Sequence, residues 1–503
     1  MSSRLDSASP CTWASALAVA LGLLGAGCGV PQDRRDAFAA AVEAQEGEHW
    51  ERAARAAAHY LKGTPPDDPR YDRANMIIAR ACENLGLSYA ASVLYREVAI
   101  SRRSEELIPD ATRGLERIVK AGPFDEDLIM AGFVAGSEFT GMPPDVQGFL
   151  SYYQGLDSIR HGFDEWGEQR FDQIPVESEY HWRAAFVYAV RAIAREQIDP
   201  AVELLEWLLE QDGQGGNEDL FWMEERIIRT EHDARIPDDL RVEVHRTLAR
   251  LAFEQRRYQE AMSHYEAIRE MAPYDPEILL EMGWTYFYLG DARQALGRLI
   301  ALDAPVHTTY IAPERYVLEA FCLRRLCQFG PARQAAVRLW ERHGDALEEL
   351  LSGIPLMESQ ALRAAARRRP GAIKAARYLY RLNSERRHVQ EVSRALGDTL
   401  TQRLLRTYER GIAEAEVREA EVLEDEARGL GAELLDAEEG VRLVVHELSV
   451  SMLRGRRRVN EVPERPLEPI PTGGSNVFYQ FIGEYWTDEL DDLVVRAEDR
   501  CID

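Results

Sequence analysis

"HRTLARLAFEQRRYQEAMSHYEAIREMAP" spans residues 245–273, and "LLEMGWTYFYLGDARQALGRLIALDAP" spans 279–305. Ala249, Ala261, Tyr265 and Ile268 in the first stretch recur 34 residues later as Gly283, Ala295, Leu299 and Leu302 in the second. The same step of 34 carries Gly155, Gly167, Phe171 and Ile174 onto Ala189, Ala201, Leu205 and Leu208. A small residue at two places per unit lets two helices of a hairpin approach closely. The large residues that follow fill the space between one hairpin and the next. The register also fits Ala41, Ala53, Ala57 and Tyr60, then Ala79, Ala91, Tyr95 and Val98. After a short insertion around "HTTYIAPERY" it fits Ala320, Ala332, Ala336 and Leu339.

A 34-residue period with small residues at helix crossings resembles the tetratricopeptide (TPR) repeat. Seven units are in register, and a degenerate one fits near Gly114 to Gly136, so the resemblance covers roughly 33–344. It implies an all-α solenoid of helical hairpins, followed here by a long helical region and an extended aromatic tail. At least three such units are needed for stability, and this array exceeds that.

Composition divides the chain further. A TPR array over 28–210 is interrupted at 211–239, where "QDGQGGNEDLFW" reads as a loop followed by an extra helix. Repeats resume over 240–344, and 345–455 reads as non-TPR helix. There Leu400, Leu404, Tyr408 and Ile412 keep a four-residue stripe, but no heptad is sustained. A coiled-coil-like helical hairpin packed on the end of the solenoid is therefore expected. The glutamates of 414–439 read as its solvated face, and "RGRRR" (454–458) as a solvated helix end. Residues 456–475 read as a Pro/Gly-rich linker, and 476–503 as a tail whose "NVFYQFIGEYW" needs burial. Phe478, Phe481, Tyr485 and Trp486 are expected to dock that tail on the repeats.

At the other end, "ASALAVALGLLGAG" runs uncharged from Ala14 to Gly27, too short to span a bilayer. With Arg4 before it and small residues after, residues 1–27 read as a secretory signal. "GAGC" resembles the bacterial lipobox, which implies acylation of Cys28. Gly25 departs from the Leu, Ala or Ser usual three places before the cysteine. Gly29, rather than Asp, follows it, which by the same resemblance implies the periplasmic face of the outer membrane. Several acyl chains would anchor the protein stably.

Lys and Arg number 60 against 86 Asp and Glu, a net charge of −26 that argues against nucleic acid as a partner. Cys82, Cys322, Cys327 and Cys501 are too few and scattered for a disulfide framework and are expected to be structural thiols. The sequence carries no G-x-S-x-G elbow, no phosphate-cradling G-x-x-x-x-G-K and no H-E-x-x-H. His232 and its neighbouring carboxylates read as a polar loop. No catalytic residue, metal ligand or cofactor is expected, and no enzyme.

What remains is a binding surface. Counting from the small-residue anchors, the exposed positions on the first helices of the last three repeats include Arg246, Arg250, Phe253, Trp284, Phe287, Phe321 and Arg324, with Leu280 and Val317 between them. Aromatics with arginine are the composition of binding hot spots. Together, lipobox, repeats, charged helices and "FIGEYWTDEL" resemble the TPR lipoproteins of adventurous gliding-motility machinery. That resemblance implies a scaffold coupling envelope proteins at the outer membrane. The alternatives are an assembly factor resembling the TPR lipoprotein of the β-barrel insertion machinery and, less favoured, a cell-wall enzyme with TPR targeting.

Overall fold

The computed structural model describes residues 32–122, 125–130, 133, 139, 141–210, 220–222, 226–228, 236–272, 275–307, 309–453, 494–495 and 497–501. Cys28 and the tail aromatics Phe478, Phe481, Tyr485 and Trp486 lie outside these residues. The fold is all-α. Helices pair in chain order: α1 (Gln32–Glu46) with α2 (Trp50–Leu61), and α3 (Tyr71–Asn84) with α4 (Ser88–Ser101). Next come α5 (Ile108–Ala121) and the short α6 (Glu126–Met130), both packed on α4, then the pairs α7 (Pro144–Arg160) with α8 (Asp164–Phe171) and α9 (Glu179–Ala194) with α10 (Ile198–Glu210). The C-terminal hairpins are α11 (Asp238–Glu254) with α12 (Tyr258–Met271), α13 (Pro276–Leu289) with α14 (Ala292–Ala301), and α15 (Glu314–Arg325) with α16 (Phe329–Leu351).

These seven pairs turn in the same way. Each turn holds one residue in the left-handed region: Glu48, Gly86, Gly162, Glu196, Arg256, Gly290 and Cys327. The next residue's N–H then donates to a carbonyl five residues back, as in His49 to Ala44, Leu87 to Cys82 and Asp291 to Tyr286, at 2.8 to 2.9 Å. This is a Schellman closure, which satisfies the helix's last carbonyls and starts the return helix. Above each turn the helices cross on the small residues. Ala53, Ala91, Ala201, Ala261, Ala295 and Ala332 are all fully buried. In the hairpin of α7 and α8, a Cβ on Gly155 would lie 2.3 Å from the Phe171 ring, and one on Gly167 2.9 Å from the Gly155 carbonyl oxygen. In the last hairpin Ala335 is the buried residue and Ala336 only half-buried, one place from the register read in the sequence.

Within 211–239, the described residues before α11 include a short antiparallel pair, β1 (Leu220–Trp222) with β2 (Arg226–Ile228), and the rest of the segment in which an extra helix is expected lies outside the described residues. Two expectations are corrected. First, the C-terminal helices do not simply cap the end of the solenoid. After α17 (Gln360–Ala366), α18 (Pro370–Glu391) and α19 (Ser393–Leu396), α20 runs unbroken over Asp398–Leu453, about 84 Å at 1.5 Å per residue. Its first part packs on the N-terminal hairpins: the Tyr408 and Tyr89 rings lie 5.7 Å apart, and a Cβ on Gly411 would sit 2.3 Å from Tyr89. Its later part lies on the last hairpin, with Gly440 against Val317, and Val444 and Leu448 in the core of α13 to α16. The stripe of Leu400, Leu404, Tyr408 and Ile412 is thus buried against α2 to α4. No helix among the described residues is long and apolar enough to cross a membrane.

At the clasp between α18, α20 and α4 sits Glu385, 3 % exposed. One carboxylate oxygen accepts from the Tyr89 N–H at 3.0 Å and from the Tyr408 hydroxyl at 2.7 Å, and the other from Arg381 Nε at 2.8 Å. Burial pushes its pKa above the usual carboxylate range, against the pull of these three donors.

The second correction concerns the cysteines. Cys327 and Cys501 form a disulfide across 174 residues, while Cys82 and Cys322 are free and buried. The described end of the tail lies along the last two turns of the array. Arg293 Nε donates to the Ala497 carbonyl at 2.9 Å, Gln328 Nε2 to that of Glu498 at 2.8 Å, and the Arg500 N–H to that of Leu326 at 3.0 Å. Sequence spacing could not pair two cysteines that only folding brings together. Limited carboxypeptidase digestion is expected to spare 494–501 in the oxidised protein and to remove it rapidly in Cys501→Ser. Equal trimming of both would contradict the docking.

Candidate functional site

The first helices of the last three hairpins bring the expected aromatics side by side. Trp284 and Phe287 sit 6.0 Å apart on α13, and Phe287 stacks on Phe321 of α15 at 6.0 Å. Two further rings join them. Tyr288 lies 6.2 Å from Trp284 and 5.4 Å from Phe253 of α11, and stacks at 5.1 Å and 12° on Tyr258, the first residue of α12. Tyr288 is one helical turn from Trp284, so its spacing could have placed it on this face. Tyr258 arrives from a second helix, where counting from the anchor gives no signal. Tyr288 is 49 % exposed, which makes it the solvent edge of the row.

The arginines divide. Arg246 is tied to Asp275 and Glu277 of the next hairpin, with its side chain only 14 % exposed, so it joins repeats and is not a free contact. Arg324 pairs with Glu447 on α20, and Val317 lies beneath Gly440, so α20 covers this part of the expected groove. Arg250 remains at the surface, its Nε 3.0 Å from Glu281. Leu280 is buried.

What stays open is a cleft of about 610 Å³ between this row and the C-terminal helices. Phe253, Trp284 and Tyr288 form one wall, and Arg369, Pro370 and Glu433 the other. Arg369 is held there by Glu426 at 2.9 Å and Glu433 at 2.7 Å. Glu254, Glu277, Glu281, Glu314 and Glu433 line the cleft against only Arg250 and Arg369, so its field is negative. Burial raises the Tyr310 phenol above its ordinary range, and Glu277, Glu281, Asp275 and Glu314 raise it further. Aromatic faces in a negative, partly enclosed cleft suit a cation, which gains both from the carboxylates and from the ring quadrupoles. Among the described residues no group of three or more His, Cys, Asp or Glu is placed to hold a metal.

Residues 252–310, which include this row apart from Phe321, match the family profile described as Tetratricopeptide repeat. Over these residues the chain carries a tetratricopeptide-repeat signature. Among solved structures, it is similar to a TPR protein from Parabacteroides merdae ATCC 43184, at 12 % identity over 61 % of this chain and 92 % of that one, with a TM-score of 0.20. It is also similar to the TPR domain of P58(IPK), at 10 % identity over 85 % and 100 %, with a TM-score of 0.19. Superpositions this loose leave the TPR reading to rest on the profile match and the repeated hairpin turns. A stretch of 78 residues is 36 % identical to a nicotinate-nucleotide–dimethylbenzimidazole phosphoribosyltransferase from Yersinia enterocolitica. The chain spans 22 % of that relative's length, too little to bear on function. TPR repeats are typically non-catalytic and generally bind other proteins.

Proposed function

We propose that this protein is a lipid-anchored scaffold on the periplasmic face of the outer membrane, holding proteins of an envelope complex together, as in the gliding-motility lipoproteins its sequence resembles. The observation that carries the scaffold reading is the half-buried aromatic row, with Tyr288 at its solvent edge, beside a negative cleft on the repeat hairpins. Its partner is a basic segment of another envelope protein, with arginine or lysine stacking on Trp284 and Tyr288. The Cys327–Cys501 disulfide supports export, because disulfides persist in oxidising compartments and are rare in the cytosol. The "GAGC" stretch supports Cys28 as the acylated residue.

The location is tested by Cys28→Ser. The variant is expected to lose its outer-membrane fraction and to accumulate as an unprocessed or soluble form. Wild-type recovery in outer-membrane vesicles would refute the anchor.

A further inference from the structure

A second cleft, of about 470 Å³, opens between the N-terminal hairpins and the start of α20. Its charge is opposite to that of the aromatic cleft. Lys62, Arg96, Arg403, Arg406 and Arg410 line it against only Glu97 and Glu414, in a chain whose net charge is −26. Arg403 is already committed, donating to Asn75 Oδ1 at 2.9 Å and pairing with Glu97 at 2.8 Å. Arg96 reaches the Ile129 carbonyl at 3.3 Å. Lys62, Arg406 and Arg410 have no carboxylate within ion-pairing distance among the described residues, and Arg406 Nε donates only to the Gln402 carbonyl of its own helix, at 3.2 Å. The cations come from segments more than 300 residues apart, so it is folding that gathers them. Like charges gathered around one cavity repel, and the opposite charge of a ligand would relieve the repulsion. Between the cations the walls are apolar: Leu61, Val93 and Leu400, beside the rings of Tyr71 and Tyr89.

We propose that this cleft binds a phosphate ester, with Arg406, Arg410 and Lys62 holding the phosphoryl oxygens and the apolar walls taking the esterified group. Guanidinium forks match phosphate bidentately, and an ammonium adds a compact positive charge. The ester is either the headgroup of an anionic phospholipid or a soluble phosphate compound. The proposal does not depend on the partner bound at the aromatic cleft.

The test uses the purified full chain in a neutral detergent at 0.15 M salt. It is titrated calorimetrically with dihexanoyl phosphatidic acid, with inorganic phosphate and with dihexanoyl phosphatidylcholine. Saturable binding of phosphatidic acid with no response to inorganic phosphate points to a lipid headgroup. Binding of both points to a soluble phosphate compound. In either case Arg406→Gln with Arg410→Gln is expected to weaken binding at least tenfold, while its own melting temperature holds or rises as repulsion is relieved. No saturable binding of either phosphate probe by the wild type, equal binding by the folded double variant, or equal binding of the zwitterionic lipid would each overturn the proposal.

Discussion

Glu385→Ala is expected to lower the unfolding free energy by about 3 kcal/mol, since two buried donors left without partners cost about 1–3 kcal/mol each. The donors are the Tyr408 hydroxyl and the Tyr89 N–H, both inside the clasp of α18, α20 and α4. Arg381 is 41 % exposed and would turn to water at little cost. The loss should be local before it is global. Hydrogen exchange should quicken at the start of α4 and around Tyr408 while α11 to α14 keep their protection. Glu385→Gln retains one acceptor oxygen and should fall between the two. Unchanged urea unfolding and unchanged exchange in Glu385→Ala would mean that α20 is not held to the N-terminal hairpins in this way.

Ala261→Leu and Ala295→Leu are each expected to cost about 1–3 kcal/mol by overpacking a closed helix crossing. Both alanines are fully buried at the crossings of successive hairpins. Their neighbours are backbone and filled core, so the added atoms can be accommodated only by parting the helices. Ala413→Leu, on an exposed position of α20, serves as the control and should leave the midpoint near wild type. Equal midpoints for all three variants would misplace the repeat register.

The hairpins were legible because their constraint is local. A small residue where helices cross, a large one after it and a 34-residue step recur whatever surrounds them. Even the turns were partly visible: Gly86, Gly162 and Gly290 mark left-handed residues, while Glu48, Glu196, Arg256 and Cys327 adopt the same conformation without glycine to announce it. The path of α20 was not legible. Leu400, Leu404, Tyr408 and Ile412 declare an apolar face, but nothing in their spacing says that Tyr89, some 300 residues earlier, is what covers Tyr408. The site divides on the same line. Trp284 and Phe287 share a helix face and could be placed by counting. Tyr258, the covering of Arg324 by Glu447 and the far wall at Arg369 depend on tertiary contacts. The Cys327–Cys501 bond belongs with these, since its partners stand 174 residues apart in the sequence and are neighbours only in the folded chain.

The scaffold reading meets its most direct test in quantitative capture. Full-length protein and a Trp284→Ala, Tyr288→Ala double variant would be purified by affinity from solubilised membranes, and their bound proteins compared by mass spectrometry. Circular dichroism would check that the variant is folded. The expected result is a retained fold with at least a tenfold loss of specific envelope proteins, which should also elute from the wild type with an excess of a short arginine-rich peptide. Undiminished recovery on the folded variant would contradict the aromatic cleft as the surface through which this chain holds its partners.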